Sequence, residues 1–370
     1  MIDVFKNDLK TLVNLISVSG SEQEIVKYIA NRLAPVCDEL EISTMGTVMA
    51  RIQGSRPGKK VMVAAHMDEI GLIVKNISSD GFITFEKVGD FSDKVLPARR
   101  VWIQTREGRV PGVIGMRPAH IMTADDLKRV QSADELYIDV GAQSAEEVGA
   151  FGVTLGDSVV LQSDYMEMAN PDIVCSRAID NRIGCAVLLN LLENIDRDQF
   201  EGELIGVFSV LEETTIAGMI PVANQIQPDY VLALDTVPCG DVLDVDTAVE
   251  LPVYMNRGPV LILAQGEPSM EKFARMHPRI VEGLKKTALE MGTGVQELVL
   301  CGKYYISDAV GMFLAGKGTP SGTLAIPRRY SHTPVEVMNI GDAVKTYDLL
   351  KAFLEQQNGN ISLSFLDESE

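Results

Sequence analysis

Several apolar runs of strand length constrain this chain more than any other feature. They are KKVMVAA (59–65), ELIGVFSVL (203–211), YVLALD (230–235), VLILA (260–264) and SGTLAIP (321–327). A strand with one wet face alternates polar and apolar residues. A strand covered on both faces does not, and these runs are almost unbroken. Helix-like stretches lie between them. Ser21-Glu22-Gln23-Glu24 reads as a capping box opening a helix with Ile25, Tyr28, Ile29 and Leu33 on one face. NRIGCAVLLNLLENI (181–195), FARMHPRIVEGLKKTALEMG (273–292) and a segment from about 341 to 356 also read as helices. Alternation of this kind predicts an α/β sandwich with a mostly parallel central sheet.

Between about 70 and 165 the texture changes. GLIVKNI, GFITFEKV, RVWIQT and GRVPGVIGM are strand-like and are separated by turns such as SSDG and REG. Helical periodicity is scarce there except at about 122–131. The expectation is a small β-rich insert over 71–165, lodged in a discontinuous domain made of 1–70 and 166–370. A chain of 370 residues has room for both.

Composition narrows the partners. The formal charge of −19 argues against nucleic acid and against an anionic membrane surface, since both need a basic face. The N-terminal MIDVFKNDLK lacks the apolar stretch of a signal peptide, and no run approaches a membrane span of about 18 apolar residues. The cysteines, Cys37, Cys175, Cys185, Cys239 and Cys301, are odd in number and widely spaced, as buried free thiols of a reducing cytoplasm would be.

The strand ends carry the chemistry. His66 follows the run that ends at Ala65, with Asp68 two residues on. Glu212 and Glu213 follow 203–211, Asp235 closes 230–235, and His332 follows 321–327 and a short turn. Asp180 stands just before a helix, where it could also be a plain N-cap. Ligands bind at the carboxyl ends of strands in open α/β sheets. Singly, each residue has an ordinary reading as a cap, turn, core histidine or loop residue. Together, His66, Asp180, Glu213, Asp235 and His332 form a ligand set for two adjacent divalent ions that share one carboxylate. Zn²⁺ and Co²⁺ both accept such donors. Glu212, beside a ligand, suits the general base of a metal-assisted hydrolysis. There is no G-x-S-x-G elbow and no phosphate-binding G-x-x-x-x-G-K-[ST] loop.

AHMDEIG (65–71), RAIDNRIG (177–184), LEE (211–213), ALD (233–235) and IPRRYSHTPVE (326–336) resemble the motifs of the tetrahedral-particle (TET) metallo-aminopeptidases. Some members of that family carry cellulase-like endoglucanase names. The likeness extends to GVIGMRPAH (112–120), ELYIDVGA (135–142), GVTLGD (152–157) and SDA (307–309). It implies a zinc-exopeptidase-like fold and removal of N-terminal residues from short peptides. It implies His66 and Asp235 as terminal ligands of one ion, and Glu213 and His332 as those of the other. Asp180 would bridge, Glu212 would take the proton of the attacking water, and Asp68 would orient His66. His120 resembles a residue that reaches a neighbouring subunit's site, although a local structural histidine is its plainer reading. Asp308 falls among the substrate-binding positions. The insert would be a dimerisation domain, and the assembly a dimer or a tetrahedral dodecamer.

Three stretches depart from the family pattern. The usual EE-x-G-x-R-G-A is here Glu212-Glu213-Thr214-Thr215-Ile216-Ala217-Gly218-Met219. G-T-D-A is Ile306-Ser307-Asp308-Ala309, and an aspartate-rich stretch is Thr236-Val237-Pro238-Cys239-Gly240. These loops imply altered specificity around retained ligands and base. A deacylase acting on a small metabolite, a glycosidase and an inactive metal-stabilised assembly are the competing readings.

Overall fold

The computed structural model describes residues 1–216, 218–267, 272–301, 305–358 and 361–366. Ala217, in the departing stretch after Glu213, and Tyr304, just ahead of the departing stretch 306–309, lie outside them. Four strands form a parallel centre in the order Glu201–Ser209, Arg56–His66, Tyr230–Pro238 and Ser321–Arg329. Tyr230–Pro238 is buried at every position but the last. Side chains of Arg56–His66 alternate between two cores. Val61, Val63 and Ala65 pack with residues of helices Ile2–Leu12, Gln23–Leu33, Ile179–Asn194, Pro278–Glu290 and Ile340–Gln357. Met62 and Ala64 pack with Met219, Val222 and Ile226 of helix Met219–Ile226. This double cover is why the runs are apolar throughout, and it makes the α/β sandwich.

Outside the centre the pairing is mostly antiparallel, the exception being the parallel pair Val260–Glu267 with Gln296–Cys301. Val48–Gln53 lies against Glu201–Ser209, and Glu336–Asn339 lies against Ser321–Arg329. The sheet is therefore mixed, with its parallel part where the candidate ligands sit. The strands also run past their expected ends, so Asp235 lies inside Tyr230–Pro238 and not at its close.

Three local expectations fail for identifiable reasons. The capping box is not made. Ser21 Oγ is engaged by Ser158 Oγ at 2.8 Å, and Glu24 accepts from the Ile16 amide at 3.2 Å and from Arg109. The helix expected from 273 starts at Pro278, because Lys272–Arg275 adds as a strand to Val260–Glu267. Proline needs no amide partner in a first turn. Of the cysteines, Cys301 is exposed and Cys37 is half-buried; the other three are buried and all five are free.

Six short strands between Gly71 and Leu161 close into a barrel. It has its own core, including Leu72, Ile83, Phe85, Val101, Ile103, Ile138 and Val159. Closure leaves no free sheet edge. The stretch at 122–131 holds only a 3₁₀ turn, Asp126–Lys128, while a short helix forms instead at Ala145–Ala150 behind its Ser144 cap. Among the described residues, no helix is long and apolar enough to cross a membrane.

Candidate metal centre

Parallel strands end together, so side chains far apart in sequence meet at one edge. Ser209 is the register partner of His66, which brings the Glu212–Glu213 turn beside the imidazole. Asp235 pairs in register with Ala325, three residues before Arg328. His66 Nε2 lies 3.2 Å from Asp180 Oδ1 and 3.8 Å from both Asp235 Oδ1 and Glu212 Oε2. His332 Nε2 lies 3.4 Å from Asp180 Oδ2 and 3.5 Å from Glu213 Oε2. Asp180 thus faces one imidazole with each oxygen.

The hydrogen bonds settle which imidazole nitrogen is available. His332 Nδ1 lies 2.6 Å from the Asp90 carbonyl, and His66 Nδ1 lies 3.1 Å from the Asp68 carbonyl. A carbonyl only accepts, so each Nδ1 carries a proton, and Nε2 is the nitrogen turned toward the centre. The expected role of Asp68 is thereby altered. Its backbone oxygen takes the His66 bond, and its carboxylate stands further off, at 3.6 Å. That carboxylate instead accepts from the amides of Glu212 and Glu213, both at 3.1 Å, and from Ser19 Oγ. It pins the turn that carries Glu212 and Glu213. Asp180 is not a plain N-cap either. Its backbone is non-helical (φ −75°, ψ 111°), and its amide is given to Glu336 Oε2 at 3.0 Å.

Charge is crowded and buried here. Burial pushes Glu213 up to about 8. Burial also pushes Glu212 well above the ordinary range, with Asp235, Asp308 and Glu213 adding to it against the pull of His66. For His66 burial works downward, but Glu212, Asp180, Asp235 and Asp68 outweigh it and hold the imidazole well above its usual value. Burial would raise Asp180 too, yet Arg328 and the two histidines keep it well below. Glu212 Oε1 is buried with no hydrogen-bond partner among the described residues. Carboxylates and imidazoles gathered this tightly share protons poorly and suit a divalent cation. His66, Asp180 and Glu213 each offer a ligand atom within 4.8 Å of the others. The donor set therefore fits a metal.

Several contributors were not legible as site residues. Arg328, fully buried, pairs with Asp180 Oδ2, sits 3.1 Å from Glu336 Oε1, and donates from Nε to Thr236 Oγ1 at 2.6 Å. Glu336 also accepts from the His332 amide at 3.0 Å. Both lie in IPRRYSHTPVE, and their charge beside His332 in that motif was the available signal. Asp90 acts through a backbone carbonyl, for which sequence carries none. Two expected residues stand apart. Asp308 is buried and turned to Ser209 Oγ at 2.5 Å, and it is not among the residues lining the cleft. His120 is exposed on the turn Ala119–Ile121 and does not line the cleft of its own chain.

The cleft over the centre has a volume of about 680 Å³. Pro238, Leu251, Leu300, Tyr305 and Ile306 provide much of its wall beyond the charged floor. The sequence pattern of the M42 glutamyl aminopeptidases matches residues 46–349. The chain belongs to the M42 glutamyl aminopeptidase family. Three comparisons bear this out. The FrvX protein of Escherichia coli (strain K12) is 33% identical over 94% of both chains. The solved aminopeptidase APDkam598 of the archaeon Desulfurococcus kamchatkensis is 32% identical, with a TM-score of 0.90 over 97% of this chain and 96% of that one. The TET1 peptidase of Pyrococcus horikoshii, which can assemble into a tetrahedron or a large octahedral shell, is 27% identical, with a TM-score of 0.83 over 95% and 99%. This M42 chain is thus a hydrolase of the aminopeptidase class with a metallopeptidase fold.

Proposed function

We propose that this M42 aminopeptidase trims N-terminal residues from short peptides with two divalent ions per subunit, Zn²⁺ or Co²⁺. The observation that carries the reading is Asp180, with one oxygen toward His66 and the other toward His332. A carboxylate so placed suits a bridge. His66 and Asp235 would hold one ion, and His332 and Glu213 the other. When bound, the pair would polarise the scissile carbonyl and lower the pKa of the attacking water. Glu212, with one buried oxygen unpartnered among the described residues, is positioned to take that water's proton and pass it to the leaving amine. Asp68 holds the Glu212 and Glu213 amides, so base and ligand keep their spacing. The wall of the cleft would receive the N-terminal side chain.

The division into a catalytic domain (1–70 and 166–370) and an insert (71–165) belongs to the same reading. The barrel leaves Val113, Met116, Ile121, Leu127 and Val130 exposed. Such side chains suit self-association, as a dimer or as a tetrahedral dodecamer. His120, on that same surface, would then point toward a neighbouring copy. A cytoplasmic setting accords with the free thiols.

The test is hydrolysis of an aminoacyl-p-nitroanilide panel, with and without chelator and added Zn²⁺ or Co²⁺. The reading expects chelation to abolish turnover and one of the metals to restore it. A fully metallated protein that cleaves acylated amines but no free N-terminus would instead be a deacylase.

A further inference from the structure

Arg328 is the only lysine or arginine among the described residues that line the cleft, and it stands on one side of the centre alone. Its guanidinium pairs with Asp180 Oδ2, the oxygen that faces His332 Nε2 at 3.4 Å. The other oxygen, Oδ1, faces His66, and the arginine's hydrogen bond goes to Oδ2. Nor can the guanidinium easily withdraw. Nε is spent on Thr236 Oγ1 at 2.6 Å, and Glu336 Oε1 stands 3.1 Å from Nη1. Glu336 is itself fixed by the amides of Asp180 and His332. The side chain is 2% exposed, so water does not screen its charge.

We infer that Arg328 makes the two ion positions unequal: the His66–Asp235 position fills first and tightly, and the His332–Glu213 position fills only at higher free metal. An ion on the His332 side must share Asp180 Oδ2 with a fixed cation. An ion on the His66 side uses Oδ1, the oxygen outside that hydrogen bond. The repulsion acts in a buried site, where like charges a few ångströms apart interact strongly. The same arrangement keeps Asp180 aimed at the centre before any ion arrives, which favours the first step. The inference rests on the dinuclear reading above.

The experiment is equilibrium dialysis of the purified full chain against buffered free Zn²⁺, with bound metal counted by elemental analysis. Wild type is expected to load in two steps separated by about 30-fold or more in free metal. Arg328→Gln should draw the steps together to within about threefold by strengthening the second. Arg328→Lys, which keeps the charge, should keep them apart. Wild type loading both ions in one step overturns the inference without needing any variant. So does Arg328→Gln with an unchanged separation, provided its thermal unfolding remains cooperative. Wild type that binds no ion overturns the metal reading and this inference with it.

Discussion

His66 and His332 offer the same atom to the same carboxylate from opposite sides, yet their surroundings are built differently. His66 ends a central strand, is 2% exposed, and is oriented by a carbonyl two residues away. His332 lies in a loop in a left-handed conformation (φ 53°), with its side chain about a third exposed. Its ring is oriented by Asp90, which lies between two strands' worth of barrel sequence and 242 residues away. One half of the centre is thus made by the sheet, and the other half draws on the barrel segment that carries Asp90. A rigid sheet edge can position a ligand by itself, whereas a loop ligand needs an outside acceptor to fix its tautomer and direction.

The sharpest check asks whether both halves serve one reaction. Glu212→Gln is expected to lower kcat by about 10³-fold while bound metal, counted by elemental analysis, stays at the wild-type level. Unchanged turnover would remove Glu212 from the chemistry and with it the common purpose of the two halves.

The next comparison sets the imidazoles against each other in chelated protein. His66→Ala removes a buried positive partner from Asp180, Asp235 and Glu212, so a loss of about 3 kcal/mol or more in denaturant unfolding is expected. His332→Ala, at the wetter position, should cost about 1 kcal/mol. Equal losses would break the contrast between sheet-built and barrel-supported halves.

Asp68→Asn tests the clamp on the sheet side. Its new amide would face the Glu212 or Glu213 amide, donor against donor, so a stability loss of about 1–2 kcal/mol is expected along with reduced kcat. A variant with a wild-type rate would show that the turn holds its shape unaided.

The smallest effect concerns Glu22, which accepts from the Gly20 amide at 2.9 Å and the Leu211 amide at 3.3 Å, just ahead of the same turn. Burial raises this carboxyl from 4.5 to about 7. The unfolded chain therefore ionises first as pH rises from 4.5 to 7, and folded stability falls across that window. Glu22→Gln retains an acceptor and should lack this slope, gaining about 1 kcal/mol over wild type at pH 8. Parallel pH profiles of the two proteins would argue against a buried, proton-holding Glu22.

Much of this molecule was legible before any fold was seen. Apolar runs that never alternate required a sheet covered on both faces, and 59–65, 203–211, 230–235 and 321–327 are its parallel centre. The ligand types at their ends pointed to a candidate metal centre, and His66, Asp180 and Glu213 do gather there. Local signals were weaker. The capping box at Ser21 lost to a serine of the barrel, and the apparent helix start at Phe273 lost to an added strand. In the first case a partner distant in sequence outcompeted the local bond, and in the second the neighbouring strand Val260–Glu267 did.

By itself, then, the sequence determined the class of fold, the position of the site at the strand ends, and the donor atoms available there. These follow from side-chain polarity and spacing, which are local properties. Only the tertiary structure decided that Asp68 works mainly on the Glu212–Glu213 turn, that Asp90 fixes His332, and that Arg328 sits against one oxygen of Asp180. Those facts depend on which backbone carbonyls and buried charges meet across hundreds of residues. No residue's own identity encodes that meeting; strand register and the docking of the barrel do.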